Sequence, residues 1–370
     1  MAKKMVLIPV VVIIALALLL VACTQTPATK TSPSATATQP AQTTQPTQVS
    51  SGQIELKLAH PFPPASGLGV TIQNWADAIN QQTNGRVKIT VYGGGSMLKS
   101  SEIYDGVASG VVDLAYGHPT DDMGRFGLKT AFALPGLGLN DTWPDVKLKQ
   151  EIAEKMYAKF PQLATKAPDV VLLFDCWMSP YVFQSTKKAV RVPADLKGLR
   201  VAASGLFISY ANTLGAVPVE VPAPDRYTSL ERGLIDGSWD VWGGIFAMKH
   251  YEVSKYYTEG ADFGAGSAMV IMNKKKLESL PADIQAIFRN QKQTALDWPF
   301  PAYGKEIDPA KQEAQKRNAT FIKVTPQENQ EWITATQPYY EIWIKDMESR
   351  GWLEARQFLD ELKKLIASSK

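Results

Sequence analysis

Tyr104-Asp-Gly-Val-Ala-Ser-Gly110-Val-Val-Asp113 and Tyr227-Thr-Ser-Leu-Glu-Arg-Gly233-Leu-Ile-Asp236 are two stretches with nearly the same pattern. In each, five residues separate a tyrosine from a glycine, and two aliphatic residues and an aspartate follow. Each stretch comes after an apolar, alternating run, at 87–91 in the first case and 217–221 in the second. The pattern predicts a strand, a helix that ends at the glycine, and a second, buried strand.

This repeated unit predicts the fold class. A βαβ unit that occurs twice, about a domain length apart, indicates two similar α/β lobes with a cleft between them. Late apolar runs at 268–272 and 321–324 return to earlier sheets, which favours a hinge made of several segments. We expect two Rossmann-like lobes, the first made of 53–178 with about 268–308 and the second of about 179–267 with 309–366. Ligands of open α/β sheets bind outside the carboxyl ends of the strands, so the site is expected there.

The first residues carry a targeting signal. Lys3 and Lys4 precede an apolar run that closes with Leu20-Val21-Ala22-Cys23, which is typical of a signal peptide over 1–22. The cysteine resembles that of a bacterial lipobox, which implies cleavage before Cys23 and lipidation of its thiol. An uncleaved membrane anchor is the alternative, and both place the folded part outside the cytoplasm. The Thr/Pro/Gln/Ser-rich composition of 23–52 predicts a disordered linker.

Composition and motifs exclude several classes of function. With 39 basic and 36 acidic residues the chain is nearly charge-balanced, which argues against a nucleic-acid partner. Cys176 is the one cysteine of the folded body after the linker, and it is expected to be buried. No nucleophile elbow, phosphate loop or metalloprotease motif occurs, so we predict no catalytic residue, no cofactor and no metal, in a monomer. A secreted hydrolytic enzyme using His60 or His118 as a base remains an alternative.

Several blocks resemble a known family. Pro193-Ala-Asp-Leu-Lys-Gly-Leu-Arg-Val, then Leu214-Gly-Ala-Val-Pro218 and the stretch 227–237 resemble the solute-binding proteins of tripartite ATP-independent periplasmic (TRAP) transporters. Ala59-His60-Pro61 and Leu277-Glu-Ser-Leu-Pro-Ala-Asp283 fit the same family in order. The resemblance covers nearly all of the chain from Gln53. It implies a periplasmic-binding-protein-like fold with a long hinge helix, closure over a small organic acid, and delivery to a TRAP membrane permease. An ABC-type receptor is the rival within the same class.

The chain departs from this family at the positions that bind ligand. Typical members carry an arginine that clamps the ligand carboxylate where this chain has Ala202, and a second arginine where it has Val182. The ligand-facing asparagine of the family is Asp240 here. Guanidinium is the natural bidentate partner of a carboxylate, so these changes should disfavour an anion.

The resemblance and the strand ends together suggest a set of ligand-binding side chains. They are His60, His118, Trp177, Tyr181, Arg200, Trp239, Asp240 and Trp242. An acid among aromatic rings suits a cationic or zwitterionic ligand, and a neutral aromatic ligand fits almost as well. In the alternative, the tryptophans belong to the core between the lobes and Arg200 or another arginine binds a carboxylate. A metal held by His60, His118 and Asp240 is a further possibility that the spacing does not require.

Overall fold

The computed structural model describes residues 52–139, 146–291 and 305–369. The expectations for the signal, Cys23 and the linker therefore lie outside the described residues. The strands are β1 (Ile54–Ala59), β2 (Val87–Tyr92), β3 (Leu114–Gly117), β4 (Val170–Pro180), β5 (Val182–Ser185), β6 (Arg200–Ala202), β7 (Val217–Val219), β8 (Gly237–Asp240), β9 (Tyr256–Glu259), β10 (Ala265–Asn273) and β11 (Thr320–Lys323). They form two sheets, with orders β2-β1-β3-β10-β4 and β11-β9-β5-β8-β6-β7. The expected pair of α/β lobes is confirmed.

Helices connect the strands of each sheet and cover them. They are α1 (Gly67–Gln82), α2 (Ile103–Ala108), α3 (Met123–Phe126), α4 (Lys147–Lys159), α5 (Gln162–Thr165), α6 (Leu206–Thr213), α7 (Arg226–Glu231), α8 (Trp242–Ala247), α9 (Lys274–Glu278), α10 (Ala282–Arg289), α11 (Ile307–Lys316), α12 (Pro326–Ser349) and α13 (Ala355–Ser368). The long helix α12 begins with a capping box, in which the Thr325 hydroxyl accepts from Glu328 N and the Glu328 carboxylate accepts from Thr325 N.

The strand directions bring the two sheets together at one place. In the first sheet β1, β2 and β3 are parallel, and β10 is antiparallel to both β3 and β4. In the second sheet β6, β7 and β8 are parallel, and β5 is antiparallel to β8. A single residue, Tyr181, separates the end of β4 from the start of β5. The carboxyl ends of β1–β3 and of β6–β8 therefore all face the point where the chain crosses between the sheets.

We call this point the crossover and define it as residues 180–182 and 263–265. Its two chain segments are joined by a hydrogen bond from Tyr181 N to Gly264 O, 3.0 Å long. The crossover therefore works as a short antiparallel pair of segments that belongs to both sheets.

Both copies of the repeated unit adopt the predicted strand, helix and strand. Gly110 has φ 81° and Gly233 has φ 65°, in the left-handed region that glycine enters without the steric cost of a Cβ. The backbone turns at these glycines from α2 towards β3 and from α7 towards β8. This confirms the strand–helix–strand interpretation of the sequence pattern.

The aspartate that ends each copy ties neighbouring strands together. Asp113 Oδ2 accepts a hydrogen bond from Lys57 N of β1 at 2.8 Å, and Asp236 Oδ2 accepts one from Arg200 N of β6 at 2.8 Å. Hydrogen bonds to a charged acceptor are stronger than those between neutral groups. Both aspartates precede the amino ends of their strands, at the edge of each sheet away from the crossover.

The helix α12 contacts chain segments of both lobes. Trp332 Nε1, in its first half, donates to Arg191 O at 2.9 Å, beside the second sheet. Trp343 Nε1, in its second half, donates to Thr130 Oγ1 at 3.0 Å, in the segment between β3 and β4 of the first sheet. The helix therefore connects the two lobes alongside the crossover.

The last strand and the last helix pack against different elements. The sequence interpretation placed 309–366 in the second lobe, and β11 does lie in that sheet. The helix α13, however, packs against α4 and its neighbours, with the Phe358 and Phe160 rings 4.9 Å apart. The periodicity of a helix indicates that one face is buried but not which lobe covers it.

A buried ion pair fastens the 3-10 helix Gly127–Ala133 to β4. Lys129 Nζ donates to Asp175 Oδ1 at 2.8 Å, and the two side chains are 4% and 2% exposed. The Tyr157 hydroxyl donates to Asp175 Oδ2 at 2.6 Å, so both carboxylate oxygens are satisfied. Two buried charges that compensate each other in this way make each partner costly to remove.

Lys129→Met is expected to lower the free energy of unfolding by about 3–5 kcal/mol, because it leaves the Asp175 carboxylate buried without its cation. Urea denaturation of the purified protein measures the change. Arg356→Met is the control, since Arg356 and Glu341 form an exposed pair of the kind that contributes little to stability. Equal stability losses in the two variants would contradict the structural role given to the buried pair.

Candidate functional site

Two histidines lie at the crossover edge of the first sheet. His60 follows β1 directly and His118 follows β3. The Phe62 ring connects them, with centroid distances of 5.8 Å to the His60 ring and 5.0 Å to the His118 ring. The structure thus brings together the two histidines that the sequence predicted at equivalent strand ends.

The two histidines differ in burial and in hydrogen bonding. His60 is 1% exposed, and desolvation lowers its pKa to about 4, so the ring is neutral at physiological pH. His118 is half-buried, and its Nδ1 lies 3.0 Å from the carbonyl oxygen of Ser267. Because a carbonyl only accepts, Nδ1 of His118 carries the hydrogen, and Nε2 is left as an acceptor in the neutral ring.

Tyr181 occupies the centre of the crossover. A Cβ on Gly266 would lie 2.7 Å from the Tyr181 hydroxyl oxygen, so the tyrosine can lie against β10 because position 266 has no side chain. The ring packs against the small cluster of Met178 of β4 and Val241 after β8, against which Leu68 of α1 also packs. Burial raises the pKa of Tyr181, so its hydroxyl remains protonated.

Asp240 ends β8 and forms an ion pair with an arginine. Its Oδ1 accepts a hydrogen bond from Val241 N at 2.9 Å, and its Oδ2 lies 3.4 Å from Arg226 Nη1. Arg226 is the first residue of α7 and follows β7 by a short connection. Sequence reasoning missed Arg226, although its place just beyond the carboxyl end of a parallel strand was a usable signal.

A buried histidine also lies close to Asp240. His250 Nδ1 lies 3.7 Å from Asp240 Oδ2 and accepts a hydrogen bond from Gln184 Nε2 at 2.9 Å. Burial lowers the pKa of His250, which keeps the ring neutral. Arg226 is thus the cation that pairs with Asp240.

Three other residues that were predicted to bind ligand lie away from Asp240 or are buried. Arg200 is at the amino end of β6, away from the crossover, and its guanidinium holds both oxygens of Asp236 at 2.8 and 3.2 Å. The indoles of Trp177 and Trp242 are buried and donate to Gln150 and to Glu259. The structure therefore does not bring these three side chains to Asp240.

Trp239 is buried but lies behind an aromatic ring that reaches the surface. Phe207 of α6 is partly exposed and stacks on Trp239, with centroids 5.6 Å apart and planes 25° apart. The Phe207 ring also meets the Tyr181 ring edge-on at 5.1 Å. Phe207 thus extends the aromatic surface from Trp239 to the crossover.

Three other features describe the rest of the molecule. Across residues 52–139, 146–291 and 305–369, no group of three or more His, Cys, Asp or Glu side chains is arranged to hold a metal ion. Within the same ranges, no helix combines the length and apolar character needed to cross a membrane. Cys176 is buried, and burial raises the pKa of its thiol to about 12.

Comparison with known proteins defines the class. Residues 58–346 match the family described as bacterial extracellular solute-binding protein, family 7, so the chain belongs to that family. Its members are solute-binding proteins rather than enzymes, and the resemblance to TRAP receptors seen in the sequence is confirmed.

Individual similar proteins are consistent with this family assignment. The C4-dicarboxylate-binding periplasmic protein DctP of Vibrio cholerae is 24% identical over 275 residues, which cover 73% of this chain and 80% of the relative. A TRAP solute-binding protein of Rhodoferax ferrireducens, solved with copurified benzoate, has TM-score 0.76 and 24% identity over 85% of this chain and 98% of its own. A marine metagenome TRAP protein with 3-hydroxybenzoate has TM-score 0.75 and 23% identity over 86% and 99%. These structural likenesses establish the fold.

His60→Gln is expected to flatten the pH dependence of stability between pH 6.5 and about 4. The pKa of His60 is 6.5 when unperturbed and about 4 in the folded chain, so the unfolded state binds the proton first as the pH falls. The contribution of neutral His60 is therefore complete above pH 6.5 and is lost towards pH 4, at up to about 1.4 kcal/mol per pH unit. Urea unfolding at both pH limits measures it. An unchanged slope in the variant would contradict the burial argument.

Proposed function

We propose that this chain captures a small organic acid at the crossover between its two sheets and delivers it to the membrane permease of a TRAP importer. The observation that carries the proposal is the meeting of both sets of strand carboxyl ends at Tyr181, with Asp240 and Arg226 beside it. Ligands of open α/β sheets bind at such ends. The match to the solute-binding family over 58–346 supports the same role. The two rivals, an ABC-type receptor and a secreted enzyme, are not favoured by that match.

The ligand class that we favour is an aromatic monocarboxylate. The guanidinium of Arg226, which pairs with Asp240 at the end of β8, suits one carboxylate. The rings of Tyr181 and Phe207 provide aromatic surface at the crossover, and Phe62 lies between the two histidines at the strand ends of the first sheet. Two of the similar structures bind benzoate and 3-hydroxybenzoate, which supports this choice. Because Asp240 already pairs with Arg226, its carboxylate is not free to attract a cationic ligand.

Binding would act through closure of the two lobes. The crossover and the helix α12 are the connections that must bend. A ligand that contacts side chains of both sheets binds the closed state better than the open one, and its differential affinity shifts the population. The permease would then recognise the closed form.

A matched set of compounds tests the ligand class. Benzoate, benzyl alcohol and benzylamine share a ring and differ in charge, and succinate represents the C4 dicarboxylates. We expect benzoate to give the largest increase in melting temperature, since a ligand at 100 times its Kd adds about 2.7 kcal/mol of stability. Differential scanning fluorimetry of the purified protein measures the shifts.

Larger shifts with the other compounds would indicate other ligand classes. A larger increase in melting temperature with benzylamine would indicate a cationic ligand, and a larger increase with succinate would indicate a dicarboxylate receptor. No shift with any acid, combined with no acid among the small molecules copurified from the native host and identified by mass spectrometry, would contradict the proposed function.

The localisation is part of the proposal. A monomeric receptor held to the membrane through lipidated Cys23, with 24–52 as spacer, would keep the folded part near its permease. The lipobox-like sequence Leu20-Val21-Ala22-Cys23 supports this arrangement.

Cys23→Ser is expected to release the protein from the membrane fraction of the producing cell or to leave its signal uncleaved, because the thiol that would carry the lipid is gone. Fractionation followed by mass spectrometry of the N-terminal peptide measures both results. Cys176→Ser is the matched control, since Cys176 is buried in the folded part and should not affect anchoring. Equal membrane association of Cys23→Ser and the parent protein, with no lipid on Cys23 in the N-terminal peptide of the parent, would exclude the lipid anchor.

A further inference from the structure

We infer that Arg226 is the residue that binds the ligand carboxylate, and that Asp240 serves to position its guanidinium rather than to contact the ligand. The inference rests on the proposed function and adds to it the residue that selects the charge of the ligand.

The guanidinium of Arg226 has hydrogen-bond donors to spare. An arginine carries five N–H donors, and the Asp240 contact at 3.4 Å from Nη1 is long for a hydrogen bond. The Nε of Arg226 is buried, with no acceptor in the described part of the chain. A buried donor without a partner is unfavourable, and an arriving carboxylate would relieve that cost. The side chain is 16% exposed, which leaves the guanidinium within reach of a small ligand.

The position of Arg226 directs this group towards the crossover. β7 adjoins β6, and β6 adjoins β8, so the side chain reaches across the carboxyl end of β6 to meet Asp240. Val182 pairs with Asp240 between β5 and β8, which places Tyr181, the preceding residue, at the same edge. The guanidinium therefore lies where the ends of the parallel strands meet the hinge.

Asp240 is placed to hold the arginine. Its side chain is only 12% exposed, and its Oδ1 is taken by the Val241 amide. Its Oδ2 faces Arg226 and the buried His250 ring, which accepts from Gln184 and carries no charge to compete with Arg226. An arginine fixed in this way loses less side-chain entropy when a ligand binds.

The test measures benzoate binding by isothermal titration calorimetry in four variants. Arg226→Gln is expected to weaken binding at least 30-fold, because a charge-assisted bidentate contact is lost. Arg226→Lys should weaken binding about 10-fold, since an ammonium keeps the positive charge but lacks the two parallel N–H donors that meet both carboxylate oxygens. Asp240→Asn should weaken binding by a smaller factor than Arg226→Gln, since the single amide oxygen cannot accept from both Val241 N and Arg226 and the guanidinium is held less firmly. Arg232→Gln, at the exposed end of the same helix, is the control and should not change the affinity.

Stability is measured in parallel without ligand. If Arg226→Gln unfolds because Asp240 is left unpaired, the double variant Arg226→Gln with Asp240→Asn removes that charge and should still fail to bind benzoate. Benzoate binding by Arg226→Gln or by the folded double variant within threefold of the parent would overturn the inference while leaving the proposed function intact. Weakening by Asp240→Asn together with no effect of Arg226→Gln would also overturn it. Failure of the parent protein itself to bind any acid contradicts the proposed function instead.

Discussion

The hydrogen bond between Tyr181 N and Gly264 O joins the two chain segments on which the geometry of the site depends. Because β4 passes into β5 through one residue, the direction of β4 in the first sheet fixes the direction of β5 in the second. Every other strand takes its direction from these two through its pairing. The facing strand ends, the position of Asp240 and the reach of Arg226 all follow from that single crossing.

Burial controls the charges around this crossing. Desolvation keeps His60 and His250 neutral and keeps the Tyr181 hydroxyl protonated, so three ionisable groups act as hydrogen-bonding groups without charge. The Asp240–Arg226 pair is what remains charged among them. The proposal of an anionic ligand rests on this pair, because the arginine offsets the charge of Asp240.

Much of the fold could be predicted from local patterns, whereas the site could be predicted only in part. The repeated tyrosine-to-aspartate unit and the apolar runs indicated the strands correctly, because they depend on sequence periodicity over a few residues. The partner of Asp240 could not be predicted in this way, since Arg226 reaches it across a neighbouring strand. Arg200 was a reasonable candidate by sequence position, yet strand direction places it at the opposite edge, where Asp236 binds it.

The aspartates Asp113 and Asp236 hold backbone amides at one edge of each sheet, while the polar and aromatic side chains of the site lie at the other. The residues that tie the strands together and the proposed ligand-binding residues thus lie at opposite ends of the strands. Substitutions at the ligand edge can accumulate without disturbing strand register. A lobe built in this way can change its ligand edge under a constant architecture.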